Sequence, residues 1–185
     1  YNKNLLDISE TISKNEDIKM VLIAGPSCSG KTTTSKKLEM FLESKGLNPV
    51  ALSVDDYFKE RIDTPLDEDG NKDYESINAI DTELFNDQLS RLLKGEEVIL
   101  PTYNFITGQK EFKRRLKLKE NAILIIEGLH SLNDELTKTI DKKNKYRIYI
   151  SPLTCLNLDN HNRLNTTDNR LLRRLVRDNL RRGYN

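Results

Sequence analysis

The stretch MVLIAGPSCSGKTT, residues 20–33, decides the fold of this 185-residue chain. Its first half is a short apolar run, which is typical of a strand buried inside a sheet. Its second half matches the pattern G-x-x-x-x-G-K-[ST] at every position from Gly25 to Thr32. Residues 31–44 then carry Leu38, Phe41 and Leu42 at helical spacing. The order strand, turn and helix predicts a turn that binds phosphate groups at a helix N-terminus.

The chemistry of such a turn explains its residue types. Glycines let backbone N–H groups curl around phosphate oxygens, and the helix N-terminus adds partial positive charge. We expect Lys31 to contact the β- and γ-phosphates and the Thr32 hydroxyl to bind Mg²⁺. We interpret Cys28 as a small packing residue, because no histidine stands near it in the sequence. The residues predicted to hold the nucleotide, ATP or GTP, are Gly25, Pro26, Ser27, Cys28, Ser29, Gly30, Lys31, Thr32 and Thr33.

Composition excludes several classes of protein. The 30 Lys and Arg residues nearly balance the 29 Asp and Glu residues, and the net charge of +1 argues against a general nucleic-acid coat. Two cysteines do not make a disulfide framework, so we expect a reducing cytoplasmic setting. No stretch approaches the roughly 18 consecutive apolar residues of a membrane helix, so we expect no membrane span.

The other apolar runs predict an α/β domain. Short runs at 49–54, 98–100, 122–128 and 146–151 alternate with helical patterns, which favours a parallel sheet covered by helices on both faces. We divide the chain into a lead-in segment, 1–18, and one domain, 19–185. We expect this domain to be truncated at its C-terminal end and to be part of a longer chain, because a closing helix normally needs a return segment.

Acidic residues follow two of these apolar runs. Asp55 and Asp56 come after the run at 49–54, and Glu127 lies near the end of the run at 122–128. In this fold class such ends face the ligand crevice, so an Asp there can accept a hydroxyl proton, bind Mg²⁺, or do both. We interpret Glu127 as a Mg²⁺-site residue. The alternatives are a solvated turn for the Asp pair and a strand-end charge in solvent for Glu127.

Residues 168–184 predict a helix with two opposite faces. Its arginines fall within an arc of about 100°, and leucines and a valine lie on the other side. Such a face can bind phosphate and neutralise charge during phosphoryl transfer, so we predict a lid helix. A salt-bridged solvent face and a patch for RNA phosphates are the alternatives. The arginines of this face are Arg170, Arg173, Arg174, Arg177 and Arg181.

Taken together, these pieces resemble the uridine kinase family, within the wider group that contains phosphoribulokinase and pantothenate kinase. The resemblance covers nearly the whole chain from Met20 onwards, and its pieces occur in the family's order. It implies a P-loop NTPase fold with a C-terminal arginine-rich lid helix. The pieces are GPSCSGKTT, SVDDYF, DYESINAID, PTYNF, IIEG and DNRLLRRLVRDNLRRG.

The resemblance also implies roles for single residues. Asp55 would be the base for a nucleoside 5′-hydroxyl and, with Thr32 and Glu127, would organise Mg²⁺. Glu75 stands where the family usually has an Asp on the ribose hydroxyls, and Tyr103 stands where an aromatic residue contacts the nucleoside. Among the lid positions, Arg170 and Arg174 would bind substrate and Arg173 would be catalytic. Lys31 and Asp55 would be the other catalytic residues.

Two positions depart from the pyrimidine-kinase pattern. Where those kinases usually carry a base-contacting His, this chain has Gly108, and Glu75 is one methylene longer than the usual Asp. We place Tyr57 in the acceptor pocket, with packing as an equal alternative. His130 and His161 are interpreted as structural or exposed residues.

We therefore predict an ATP- and Mg²⁺-dependent kinase that converts uridine or cytidine to UMP or CMP. A kinase for a sugar phosphate or another small alcohol is one alternative, and a nucleotide-dependent RNA-binding switch is another. The expected partner is a small nucleoside or related alcohol, with neither a membrane nor nucleic acid involved. Assembly into a homo-oligomer stays open.

Overall fold

A computed structural model describes residues 1–152, 157 and 159–182 of the chain, with only the backbone at 181 and 182. The helices are α1 Asn2–Ser13, α2 Lys31–Glu43, α3 Thr82–Leu93 and α4 Thr166–Arg182. The strands are β1 Met20–Ala24, β2 Asn48–Ser53, β3 Val98–Asn104, β4 Gln109–Leu116, β5 Ala122–Gly128 and β6 Lys145–Tyr149. Within this described part, the chain has no helix with the length and apolarity that a membrane crossing needs.

Four strands form a parallel sheet in the order β2-β5-β1-β6. All five residues of β1 are buried, as expected for a central strand that has helices on both sides. The predicted α/β class with a parallel sheet is confirmed. The crevice-facing ends of β1, β2 and β5 are their carboxyl ends, which lead into Gly25, Val54 and Leu129.

Each face of the sheet buries its own apolar cluster, because successive side chains of a strand point to opposite faces. One cluster lies under α3 and β3 and includes Met20, Leu22, Leu124, Ile126, Phe85 and Leu89. The other lies under α1 and α2 and includes Val21, Ile23, Ile125, Leu38, Leu42 and Ile12. The sheet is thus held rigidly from both sides, and this rigidity fixes the positions of the loops at its carboxyl edge.

The strands β3 and β4 form a separate two-stranded antiparallel ribbon. The sequence predicts a strand at 98–100, and this strand exists, but it pairs with β4 and not with the parallel sheet. The sequence does not predict β4, because the segment QKEFKRRL is mostly charged and most of it is exposed. An ion pair between Lys110 Nζ and Asp81 Oδ2, at 2.5 Å, connects the ribbon to the residue that precedes α3. Asp81 also caps α3 by accepting a hydrogen bond from Leu84 N.

The segment 59–80 is the long loop that the sequence predicts, and it is tied down at several points. Phe58 and Ile80 form an isolated antiparallel bridge at its two ends, and Leu66 and Lys72 form another at its tip. Short 3₁₀ turns occupy Arg61–Asp63 and Ile77–Ala79. The loop therefore covers one side of the carboxyl edge of the sheet.

Candidate active site

The turn after β1 has the backbone geometry of a phosphate-binding loop. A Cβ at Gly25 would lie 2.7 Å from the Ile150 carbonyl oxygen and 2.9 Å from Ser29 Oγ, so only glycine fits there. Cys28 and Gly30 have φ values of 59° and 100°, which bend the chain into the first turn of α2. This curvature lets successive N–H groups point to one side, which is the arrangement that binds phosphate oxygens.

Lys31 is the first residue of α2 and folds back over the loop. Its Nζ donates hydrogen bonds to the carbonyl oxygens of Gly25 at 3.0 Å and Pro26 at 3.3 Å. The ammonium group thus lies beside the loop and also lines the main cleft of the protein. Its place above the loop is suited to the outer phosphates of a nucleotide.

Thr32 and Glu127 meet beside the loop. The Thr32 hydroxyl donates to Glu127 Oε1 at 3.0 Å, which joins the start of α2 to the end of β5. Burial raises the pKa of the Glu127 carboxyl, and the negative charge of Asp55 raises it further. Hydrogen bonds from Thr32 and Ser53 and the positive charge of Lys31 act in the opposite direction. These neighbouring hydroxyl and carboxylate oxygens are hard donors of the kind that Mg²⁺ prefers, so the donor set fits this ion.

Asp55 and Asp56 lie in a 3₁₀ turn, Val54–Tyr57, that follows β2 directly. Asp55 lines the main cleft together with Lys31. Asp56 lies instead in a second cavity, which Thr32 and Glu127 also line, and its Oδ1 accepts a hydrogen bond from Tyr103 N at 3.4 Å. Burial and the charge of Asp55 raise the pKa of Asp56, whereas its hydrogen bond with Tyr103 lowers it. Adjacent carboxylates thus serve different sides of the same turn.

The far wall of the main cleft is aromatic. Phe58, Tyr74 and Phe105 line it, and the Phe58 ring contacts the other two rings edge-on at centroid distances of 5.5 and 6.0 Å. Glu75 lies at the same wall, in the segment 59–80. The cleft thus combines an aromatic surface with the charged groups of Lys31, Asp55 and Glu75.

Two residues predicted to bind substrate do not line this cleft. Tyr57 is 2% exposed, contacts Phe85 edge-on, and donates its hydroxyl proton to Gln88 Oε1 at 2.8 Å. Burial raises the pKa of Tyr57, as expected for a phenol inside the core. Tyr103 is 4% exposed and packs behind Phe58 and Phe105, at centroid distances of 5.6 and 5.1 Å. Tyr57 is thus a core residue, and Tyr103 supports the aromatic wall from behind.

The arginine-rich helix α4 crosses over the phosphate loop. Arg170 Nε donates to the Ser27 carbonyl oxygen at 3.2 Å, and Arg177 Nη1 donates to Ser27 Oγ at 3.1 Å. Arg174 Nη1 lies 3.3 Å from Glu75 Oε1, so this ion pair connects α4 to the aromatic wall of the cleft. Arg173 is not among the residues that line the main cleft; it lies in a groove with Leu172 and other apolar residues of α4. The side chain of Arg181 lies outside the described residues.

Gly108 ends the turn between β3 and β4 and packs against Arg61. Its φ is +73°, and a Cβ there would lie 2.7 Å from Arg61 Cβ. The Gly108 carbonyl oxygen accepts a hydrogen bond from Arg61 N at 2.9 Å, and Arg61 Nη2 donates to the Phe105 carbonyl oxygen at 2.7 Å. A larger residue at 108 would displace Arg61, which explains why this position carries glycine here.

Sequence reasoning missed one residue at this site. His130, expected to be structural or exposed, lines the main cleft just beyond β5. Arg177, predicted as part of the phosphate-facing arginine face, contacts the phosphate loop. The position of His130 two residues after a strand end was a usable signal, because ligand-binding residues of parallel sheets occur there.

Comparison with known proteins supports this description. Residues 20–185 match the model of the Phosphoribulokinase / Uridine kinase family. A uridine kinase of Halobacterium salinarum is 26% identical over 161 residues, which cover 87% of this chain and 63% of that protein. A uridine kinase of Staphylococcus haemolyticus is 30% identical over 161 residues, which cover 87% of this chain and 69% of that protein. The chain thus spans about two thirds of the length of these relatives.

A solved structure gives the same answer for the fold. A protein of Bacillus stearothermophilus, described as a possible uridine kinase, superposes with a TM-score of 0.64 at 26% identity. The match covers 80% of this chain and 79% of that one. The resemblance noted from the sequence motifs is confirmed by these comparisons: the chain belongs to the phosphoribulokinase/uridine kinase family.

Proposed function

We propose that this chain transfers the γ-phosphoryl group of ATP to the 5′-hydroxyl of a nucleoside, with Mg²⁺ as cofactor and uridine or cytidine as acceptor. The observation that carries the proposal is that Lys31, Asp55 and Glu75 line one cleft. This cleft lies between a phosphate-binding turn and an aromatic wall. The names of the Halobacterium and Staphylococcus relatives support a nucleoside as the acceptor.

The phosphate side of the cleft supplies positive charge and N–H donors. The residues from Gly25 to Thr33 would hold the triphosphate, with Lys31 at its outer phosphates. Thr32, Glu127 and Asp55 would hold Mg²⁺, which neutralises charge on the phosphate oxygens when it is bound. Arg170 and Arg177 approach the loop from above and would exclude water from it.

Asp55 is the residue placed to handle the acceptor hydroxyl. Phosphoryl transfer needs an oxygen nucleophile aligned with the γ-phosphorus and a base that receives its proton. Asp55 lines the same cleft as Lys31, so its carboxylate would accept the proton of a hydroxyl held between them. The half-buried Glu127 is less suited to this task, because its carboxylate accepts a hydrogen bond from Thr32 and does not line the main cleft.

The acceptor side of the cleft fits a nucleoside in two respects. The rings of Phe58, Tyr74 and Phe105 offer an apolar surface for a planar base. The Glu75 carboxylate is an acceptor for sugar hydroxyls, and its ion pair with Arg174 would keep it near the mouth of the cleft.

A sugar phosphate is the second candidate acceptor. Arg174 and Arg170 both line the cleft, and guanidinium groups bind phosphate in a bidentate manner. By resemblance, Gly108 stands where pyrimidine kinases usually carry a base-contacting histidine, and Arg61 packs against it. These observations favour an acceptor with its own negative charge.

An acceptor screen tests the proposal. ADP release would be measured with ATP or GTP, with Mg²⁺ or with a chelator, across four nucleosides and several pentose phosphates. We expect turnover with uridine or cytidine, a 5′-monophosphate as product, and loss of turnover in the chelator. The variant Lys31→Met is the control, since it removes the charge beside the loop and leaves the aromatic wall intact.

The outcomes separate the candidates. Turnover of a pentose phosphate without any response to uridine and cytidine would replace the nucleoside by the sugar phosphate. Background ATP hydrolysis with every acceptor would reject kinase activity for this chain.

A further inference from the structure

The turn after β5 holds His130 in a fixed position. Its neighbour Ser131 is fully buried and donates its hydroxyl proton to the carbonyl oxygens of Ile23 at 2.7 Å and Gly128 at 2.8 Å. The His130 carbonyl oxygen accepts a hydrogen bond from Asn133 N at 2.8 Å. Bonds on both sides of His130 therefore fix the backbone from which its imidazole projects.

The hydrogen-bonding capacity of the His130 imidazole is not fully used. Its Nε2 is shielded from solvent and has no hydrogen-bond partner among the described residues. By contrast, the hydroxyl of Ser131, one residue later, hydrogen-bonds to two backbone carbonyl oxygens, so Ser131 stabilises the fold of this turn. A buried polar atom without a partner is unfavourable and is rare in folded proteins. When such an atom lies at a ligand cleft, the missing partner is expected to come from the ligand.

The surroundings of His130 indicate which kind of ligand atom this is. His130 lines the main cleft together with Asp55 and Lys31, which handle the acceptor hydroxyl and the phosphates in the proposed reaction. Charges are therefore already provided in the cleft by carboxylate, ammonium and guanidinium groups. An imidazole nitrogen adds a directional hydrogen-bonding group, which suits a hydroxyl or carbonyl oxygen of the acceptor.

We propose that His130 is a specificity-determining residue whose Nε2–H donates a hydrogen bond to a hydroxyl or carbonyl oxygen of the acceptor. The proposal rests on the kinase function proposed above and adds the recognition of the acceptor from the β5 side of the cleft. His130 takes no proton from the reacting hydroxyl in this scheme, since Asp55 has that role. Its contribution is to the binding and orientation of the acceptor.

Kinetics of two variants form the first test. His130→Leu keeps the approximate size of the side chain and removes its donor, whereas His130→Gln retains an N–H donor. We expect His130→Leu to raise the acceptor KM about tenfold and to leave the Kd of ATP unchanged, as the loss of one neutral hydrogen bond predicts. We expect His130→Gln to recover most of the loss. An unchanged acceptor KM in His130→Leu, or an equal loss of ATP affinity, would overturn the proposal.

The histidine count of the chain allows a direct second test. Only two histidines are present, and His161 is exposed on a loop, so it is an internal control. Imidazole ¹⁵N signals would be recorded with a non-hydrolysable ATP analogue and Mg²⁺ while uridine, cytidine or ribose 5-phosphate is added. We expect the His130 signal alone to shift.

The spectra also distinguish failure of this inference from failure of the proposed function. If neither pyrimidine nucleoside is phosphorylated but ribose 5-phosphate is, the function changes and a His130 shift with ribose 5-phosphate still supports the inference. If no probe shifts the His130 signal, or if both histidines shift together, the inference is wrong whatever the acceptor is.

Discussion

The two sides of the cleft are built in different ways. The phosphate loop itself is one continuous segment, residues 25–33, and it uses backbone groups and the N-terminus of α2. The acceptor side is assembled from segments far apart in the chain, and it uses side chains such as Phe58, Glu75, Phe105 and His130. One side is therefore a property of local sequence, and the other is a property of long-range packing.

This difference has a physical consequence for tolerance to change. A backbone site keeps its N–H groups when a side chain varies, as long as the curvature at Gly25 and Gly30 is kept. A site built from side chains loses or changes a binding group when one of those side chains is substituted. It also depends on the contacts that hold its segments together. We expect changes on the acceptor side to alter specificity while nucleotide binding is retained.

The largest expected effect is at Asp55, where the two sides meet. Asp55→Asn should lower kcat by about 10³-fold, because a general base contributes roughly 10²–10⁴-fold, while the Kd of ATP changes little. Turnover and calorimetric nucleotide binding would be measured on the same preparation. Asp56→Asn is the comparison at the adjacent residue: Asp56 lines the second cavity with Thr32 and Glu127, and an amide oxygen can still accept from Tyr103 N.

For Asp56→Asn we expect a smaller loss of kcat than for Asp55→Asn, about tenfold or less, because its carboxylate does not line the main cleft, where the acceptor hydroxyl would lie. Near-normal turnover in Asp55→Asn, or equal losses in both variants, would contradict the assignment of the base.

A smaller effect is expected at Gly108, which packs against Arg61 and through it supports Phe105 on the acceptor side. Gly108→Ala should lower the free energy of unfolding by about 2 kcal/mol, because the positive φ costs roughly 1 kcal/mol and Arg61 must also move. It should also raise the acceptor KM while the KM of ATP is unchanged. Denaturant unfolding and steady-state kinetics would measure both. Gly95→Ala is the control, because Gly95 has a φ of +81° with no atom near its Cβ position.

Gly95→Ala should therefore show the backbone cost alone, about 1 kcal/mol, with unchanged kinetics. If Gly108→Ala weakens ATP and acceptor equally, the two sides of the cleft are not independent.

The smallest expected effect is a pH-dependent change at Glu127. Its pKa is raised in the folded chain, so its contribution to stability is fully present below the ordinary value near 4.5 and is lost as pH rises through the folded pKa. The Glu127→Gln variant has no carboxyl to ionise and keeps this stability as pH rises. Without ligand, its Tm should therefore exceed that of the wild type at pH 7 by on the order of 2 °C. Thermal unfolding from pH 4 to pH 8 would show the difference disappearing at the acidic end.

Addition of Mg²⁺ and ATP should reverse the order, because the Glu127→Gln variant lacks the carboxylate for the cation. The exposed Glu120→Gln variant should show neither effect. A Tm difference that does not depend on pH would contradict the desolvation of Glu127.

The parts that sequence could predict are those written in contiguous residues. The turn at 25–32, the helix after it and the parallel sheet all follow from local patterns, and the structure confirms them. β4 was missed because a charged strand in a two-stranded ribbon has no buried apolar face to reveal it. Local sequence pattern thus predicts strands that are buried on both faces and fails for an exposed strand such as β4.

Side-chain direction is the second limit. Tyr57 and Phe58 are adjacent aromatic residues after β2 and both are buried, yet only Phe58 also lines the main cleft. A 3₁₀ turn rotates successive side chains by about 120°, and sequence does not show which residue of the turn faces inward. The same uncertainty applies to Arg173 and Arg174 on α4, of which only Arg174 lines the main cleft.

The two carbonyl oxygens that hold Lys31 Nζ set a requirement of shape at this position. An ammonium group is compact and can turn from these carbonyls towards an arriving phosphate by rotating about its own side-chain bonds. A guanidinium group carries the same charge but is planar and wider, and its donors point in a fixed fork. Exchange of Lys31 for arginine would therefore preserve the charge beside the loop but not the two contacts that a single nitrogen makes with these carbonyls.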